Sequence, residues 1–437
     1  MKGRMTKRII AVVVCAALIV AALPAGIFSA LGVSKAKLQV TVISDIHYYP
    51  DTLKGTNAEG TGFSDAWNEW SEKGARQFDQ VNALVDAALK KAEKEGSRYV
   101  LIPGDLTYNG EYEGHKTLAA RLEKFEKDTG IDVIVINGNH DINNSRATSF
   151  ASGTQESAKK TSPEDFREIY ANLGYDLADA TYTPSEGKAG MLSYTVKLDG
   201  GYRLIAMDTC KYSSDVTADG TDEQETGGSI TPELMKWVLE QCEKANKNGE
   251  TIIGMCHHNF VPHMTIEDEI FGAFVYDNWM ETTETLADAG MHFAFSGHLH
   301  TPDIASHVND NGETLYDIET PSLSGFPNKF RTVTFDNTGD DVRFEVKTHD
   351  IDEDEPLVAN GVTYEQPYRY TYSFFKTYGP GGVKNFAMNA AGDFIVNLFE
   401  EIQETGGLYE YLVASGIDIE QIIVDALGTA KTSANAV

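Results

Sequence analysis

Residues 131–141 read IDVIVINGNHD. The β-branched run Ile131–Ile136 is too short for a helix and reads as a buried strand. It passes almost directly into Gly138-Asn139-His140-Asp141, a loop rich in oxygen and nitrogen donors. Upstream, His115–Asp128 sets Leu118, Leu122 and Phe125 on one helical face and stops at Gly130. Helix, buried strand and donor-bearing loop together make one unit of an α/β protein, with its chemistry expected at the carboxyl end of the strand.

The same unit recurs in both directions. Leu38–Ser44 (LQVTVIS) reads as a strand and leads into Asp45-Ile46-His47. Ala75–Glu95 carries Phe78, Val81, Val85, Ala88 and Ala92 at helical spacing, and the apolar strand Tyr99–Ile102 then leads into Gly104-Asp105. Arg203–Met207 is a further strand, followed by a helix opening at Thr231-Pro232-Glu233, a cap with proline in the first turn. Thr251–Cys256 runs into His257-His258, and Met291–Phe295, after the helical stretch Glu281–Ala289, runs into Gly297-His298-Leu299-His300. This alternation predicts an α/β fold. Past residue 313, Leu315–Glu319, Arg331–Asp336 and Asp341–Lys347 read as antiparallel strands. Asn143–Lys188 and Tyr212–Ser229 are rich in Ser, Thr, Gly and acids and read as surface loops. The acidic run Asp350–Glu355 reads as a linker to a small helical C-terminal domain over 357–437, with helices near Phe386–Glu404 and Ile419–Leu427.

A single histidine at a strand end is ordinarily a satisfied structural residue. Donors at five strand ends of one chain point instead to a metal centre. Asp, His and Asn suit Zn, Mn or Fe, and no thiolate accompanies them. The ordered blocks DxH, GD, GNHD, His and GHxH, from Asp45 to His300, resemble the calcineurin-like metallophosphoesterases. The GNHD form and the His257-His258 pair are most similar to the class III cyclic nucleotide phosphodiesterases within that family.

The resemblance implies a four-layer αββα sandwich over 37–350 and two divalent or trivalent metal ions (Mn, Fe or Zn). One ion would be held by Asp45, His47, Asp105 and His300, the other by Asp105, Asn139, His257 and His298. A shared carboxylate lets two cations sit about 3.5–4 Å apart and clamp both oxygens of an in-line displacement by bridging hydroxide. His140 would be the catalytic histidine at the leaving oxygen. Asp141 either fixes the His140 tautomer or caps a turn after the loop. His258 is the fallback for His257, because neighbours on a strand point to opposite sides. Asp105-Leu106-Thr107-Tyr108 also matches the GDxxY of purple acid phosphatases, but those lack the histidine of DxH, so Tyr108 reads as a packing or substrate-side residue. His263 is a weaker substrate-contact candidate. Trp67 and Trp70, and the aromatic stretch Tyr368–Tyr378, would either cover the pocket or pack the sandwich.

The chain carries 36 Lys+Arg against 66 Asp+Glu, a net charge of -30. Nucleic acid polymers and anionic membrane surfaces are therefore disfavoured as partners, while a small phosphate ester remains open because local cations reverse the sign of one pocket. Lys2, Arg4, Lys7 and Arg8 precede an apolar run, Ile9–Leu23, so 1–36 reads as a signal peptide or membrane anchor of a secreted or cell-surface protein. Cys210, Cys242 and Cys256 show no CxxC spacing and read as small buried hydrophobes. No GxSxG elbow, Walker A loop or GxGxxG fingerprint is present. The expected function is an exported metal-dependent hydrolase of small phosphodiesters, cyclic nucleotides among them. A phosphomonoesterase and a non-catalytic scaffold of the same fold are the alternatives.

Overall fold

Ile252 and Ile253 are neighbours in sequence and belong to different hydrophobic cores. The same division separates Leu204 from Ile205 and Phe293 from Ala294. Strand geometry sends adjacent side chains to opposite faces, so a strand apolar on both faces must be covered twice. That requirement produces the layers.

The computed structural model describes residues 33–363, apart from 72–75, 212–225, 265–266, 271, 326–327 and 360–361. The first sheet uses β1 (Lys37–Val42), β2 (Tyr99–Pro103) and β3 (Asp132–Ile136). The second begins with β4 (Ala178–Thr181), β5 (Tyr194–Leu198), β6 (Tyr202–Ala206), β7 (Thr251–Met255) and β8 (Met291–Ser296). It is completed by β9 (Ile304–Val308) and β10 (Thr314–Glu319), and the chain then returns to the first sheet with β11 (Lys329–Asp336) and β12 (Arg343–Asp350). The orders are β12-β11-β1-β2-β3 and β9-β10-β8-β7-β6-β5-β4. In the first sheet β1-β2-β3 are parallel out to the β3 edge, with β11 and β12 antiparallel on the other side; in the second, β6-β7-β8-β10 form a parallel centre with antiparallel strands at both edges.

Between the sheets lie Val40, Val42, Leu101, Ile134, Leu204, Ile253, Phe293, Phe295 and Phe335. Helices α1 (Val81–Glu95) and α2 (Tyr112–Thr129) supply Leu84, Val85, Ala88, Leu118 and Leu122 to the same core from beyond the first sheet. Helices α3 (Pro163–Ile169), α4 (Pro232–Asn248) and α5 (Trp279–Asp288) follow in the chain. Leu234, Val238, Cys242 and Leu286 of α4 and α5 cover the far face of the second sheet. The result is the expected αββα sandwich.

Asn143–Lys188 departs from the expected surface loop. It contains α3 and the edge strand β4. Ser162 accepts the Asp165 N–H while Asp165 accepts from Ser162, a reciprocal cap that starts α3. Strands β5 and β9 were also absent from the sequence expectation. The acidic run Asp350–Glu355 is no free linker, since Lys91 of α1 holds Glu353 and Asp354, each at 2.7 Å. Leu357 returns to the main core, and the part of the expected 357–437 C-terminal domain beyond residue 363 lies outside the described residues. So do the N-terminal segment up to residue 32 and most of the Tyr212–Ser229 loop. Among the described residues, no helix is long and apolar enough to cross a membrane. Cys210, Cys242 and Cys256 are buried and form no disulfide.

Candidate metal centre

Parallel pairing stacks the loops after β1 and β2 against each other. The Asp45 N–H donates to Gly104 O at 3.3 Å and the His47 N–H to Asp105 O at 2.9 Å. On the second sheet the Gly297 N–H donates to His257 O at 3.0 Å. The two halves join where the His298 N–H donates to Asp45 Oδ2 at 3.1 Å. Sheet register thus carries Asp45, His47, Asp105, Asn139, His257, His298 and His300 to one end of the sandwich.

Both aspartates are held by one oxygen and offer the other. Asp45 Oδ2 accepts from Ser44 Oγ at 2.6 Å and from His298 N, while Oδ1 lies 3.1 Å from His300 Nε2 and 3.8 Å from His47 Nε2. Asp105 Oδ1 accepts the His140 N–H at 2.9 Å. Its Oδ2 is the hub, 3.3, 3.7 and 3.9 Å from Nε2 of His257, His47 and His140. Asn139 Oδ1 lies 3.0 Å from His257 Nε2, whose Nδ1–H donates to Pro103 O at 3.0 Å. His298 donates Nε2–H to Ala273 O at 3.2 Å, which leaves Nδ1 with the lone pair.

This approach needs unusual backbone. Asp45, His47, Asp105, His298 and His300 all have positive φ, between 46° and 75°. Only Asn143 and Asn278 share that feature among the other described non-glycine residues. Left-handed backbone is costly for residues with a Cβ and collects where a site over-determines it. A Cβ on Gly138 would overlap Asp105 Oδ1, and one on Gly297 would overlap Asp45 Oδ2. Those two glycines are required by close approach.

The electrostatics favour positive charge. Burial opposes protonation of His257, yet the Asp105 carboxylate, with Asp45 and the Pro103 carbonyl, lifts its pKa to about 9. Burial also opposes ionisation of Asp105, but His257, His140 and His47 hold it well below the carboxylate range. At this end of the sandwich three sets of ligand atoms lie within 4.8 Å of one another: Asp45/His47/His300, His47/Asp105/His140 and Asp105/His257/His298. Hard oxygen and imidazole donors so spaced, overlapping at Asp105 and at His47, fit a pair of cations.

His140 and Asp141 part company. His140 donates Nδ1–H to Tyr108 O at 2.6 Å, with Asn109 Oδ1 3.1 Å away, so its tautomer is set by the loop after β2. Asp141 makes no contact with that ring and does not hold its tautomer. Its carboxylate turns inward and accepts from Gly138 N (2.8 Å), Thr107 N (2.9 Å), Thr107 Oγ1 (3.0 Å) and Leu106 N (3.1 Å). Burial and then the Asp105 charge push Asp141 up to about 7, with those donors opposing. Its geometry is that of the turn cap, binding the loop of Asp105 to the loop of Asn139.

His258 uses both nitrogens elsewhere, Nδ1 with Thr209 Oγ1 at 2.8 Å and Nε2–H to Thr226 O at 2.9 Å. His263 lies between Asp303 (3.0 Å) and Asp317 (3.3 Å) with its side chain buried, so it does not face a substrate. Trp67, Tyr49, Phe78 and Phe150 form a satellite core, with Trp70 and Tyr108 packed against it, so Trp67 is structural. Two neighbours carry no sequence signal. Arg76 donates from Nη2 to His47 Nε2 at 2.9 Å, and Thr107 links Asp141 to His115 Nε2 at 3.0 Å.

The profile described as calcineurin-like phosphoesterase matches residues 38–302. The chain belongs to this family. Its members use a dinuclear metal centre, so the activity is that of a metal-dependent phosphoric ester hydrolase. Among solved structures, a dimetal phosphatase from Danio rerio is 14% identical, covers 71% of this chain and 98% of its own, and has a TM-score of 0.43. A phosphopantetheinyl hydrolase from Mycobacterium tuberculosis is 11% identical over 66% of this chain and 90% of its own, with a TM-score of 0.30. A protein serine/threonine phosphatase from Saccharomyces cerevisiae is also 11% identical, covering 75% and 82%, with a TM-score of 0.30. No curated protein matches the chain.

Proposed function

We propose that the protein hydrolyses small phosphate esters, phosphodiesters first, outside the cytoplasm. The gathering of seven O/N donor residues from five strand ends, with His47, His257 and His300 facing the free oxygens of Asp45 and Asp105, carries this reading. Asp45, His47, Asp105 and His300 would hold one cation, and Asp105, Asn139, His257 and His298 the other. Bound there, the cations would polarise the phosphoryl group and supply a nucleophile near neutral pH. The protein's own part is positional. Asp45 and Asp105 are each clamped through one oxygen, and His140, aimed by Tyr108 O, presents Nε2 on the Asp105 side for proton transfer to the leaving oxygen. The acidic surface favours small esters over polyanions, and the N-terminal basic-apolar segment supports export.

Monoester hydrolysis is the second reading, favoured by the Arg76 guanidinium beside His47. The test is turnover of bis-p-nitrophenyl phosphate and of cyclic nucleotides, dinucleotides, lipid diesters and monoesters with Mn, Fe, Zn or Co. Metal-dependent hydrolysis that disappears in Asp105→Asn and drops at least about 100-fold in His140→Ala is expected. A metal-loaded protein inert toward the whole panel would leave the non-catalytic scaffold standing.

A further inference from the structure

Arg76 belongs to no motif, yet its position is built. Its backbone pairs antiparallel with Gly325, and the Gln77 N–H donates to Ser324 O at 2.9 Å. That partner segment is tied to the first aspartate. Ser322 Oγ donates to Asp45 O at 2.8 Å, and the Leu323 N–H to Ser44 O at 3.0 Å. The guanidinium lies 5.4 Å from the centre of the Tyr108 ring, its Nε is buried without a partner, and no carboxylate pairs with it among the described residues. Its polar contact, Nη2–H to His47 Nε2, is to the same nitrogen that faces Asp45 and Asp105. That lone pair serves either a bound cation or Arg76. With the cation bound, a positive charge fixed at the rim must find another acceptor.

Resting on the hydrolase reading above, we propose that Arg76 is a phosphate-binding residue. It takes an unesterified oxygen of the substrate's phosphoryl group and sets the balance between monoester and diester substrates. A planar guanidinium pairs well with phosphate oxygens, and a charged hydrogen bond is stronger the more charge the acceptor carries. A diester offers two unesterified oxygens and one charge, whereas a monoester offers three and up to two charges. Arg76 therefore contributes more to the monoester.

The test uses the full-length protein loaded with Mn, with inorganic phosphate as the probe. Arg76→Ala should bind phosphate about tenfold more weakly, with bound metal unchanged, and Arg76→Lys should recover part of the affinity. The ratio of kcat/KM for p-nitrophenyl phosphate over bis-p-nitrophenyl phosphate should fall about tenfold in Arg76→Ala. Unchanged phosphate affinity overturns the proposal. So does loss of metal in both variants, which would make Arg76 a support for His47. Phosphate affinity needs no turnover, so a wild-type protein inert toward esters would sink the hydrolase reading and still leave Arg76 decided by binding.

Discussion

Gly138 shows how little room the centre leaves. A methyl group there meets the Asp105 backbone nitrogen as well as the Asp105 carboxylate, whose Oδ1 is held by His140 N. Gly138→Ala should lower the melting temperature, lose at least one metal equivalent and drop about 100-fold in kcat, read by thermal melts, metal analysis and turnover. Asp141→Asn tests the inward cap. The amide turns a donor toward buried N–H groups, so a loss of about 2–3 kcal/mol in stability is expected, together with weaker metal binding. Thermal melts and metal titration check both. Asp105, Asn139 and His140 were legible because their spacing after a strand is distinctive. The orientation of Asp141 was not, because past a turn the side-chain direction depends on loop dihedrals that no periodicity encodes. Arg76 was invisible for a related reason, being brought to the site by a pairing with Gly325, about 250 residues away in sequence.

At the scale of elements, helices with an apolar stripe were readable and edge strands were not. Strand β9 is half exposed and alternates Ile-Ala-Ser-His-Val, too short and too polar to stand out. α3 was missed although Ser162-Pro163-Glu164-Asp165 carries a start signal, because the surrounding composition reads as loop. The DIDEDE run was misread for an electrostatic reason: a charge run looks solvated until its counter-ion is known. Lys91, nearly buried on α1, meets Glu95, Glu353 and Asp354 within 2.9 Å. Lys91→Met should cost about 1–3 kcal/mol in thermal unfolding, less at high salt, and expose the 350–357 segment to proteolysis. Glu111, at the start of α2, gives a pH signature. Burial raises its pKa from 4.5 to about 7 in the fold, although the Asn109 and Thr148 N–H groups donate to it. The folded state therefore holds a proton that the unfolded state releases, and stability falls as pH rises from about 4.5 to 7. Glu111→Gln should remove up to about 3 kcal/mol of that fall, measured by urea unfolding across the range.

For the whole molecule, a charge of -30 opposes the approach of any anionic ester. Salt screens that repulsion, so kcat/KM should rise about two- to threefold between 10 and 200 mM ionic strength, more for a dianionic monoester than for a diester. A fall with salt would reveal a local positive funnel instead. The polarity of β1 adds a constraint of another kind. Ala36 bonds to Gly200 and Val33 packs on Gly201, at the turn between β5 and β6, while Asp45 stands at the opposite pole, ~30 Å along the chain from Ala36 at about 3.3 Å per residue. A chain tethered through residues preceding Val33 would stand on its closed end with the mouth turned outward. For a chain tethered in that way, esters would enter from the side facing away from the tether.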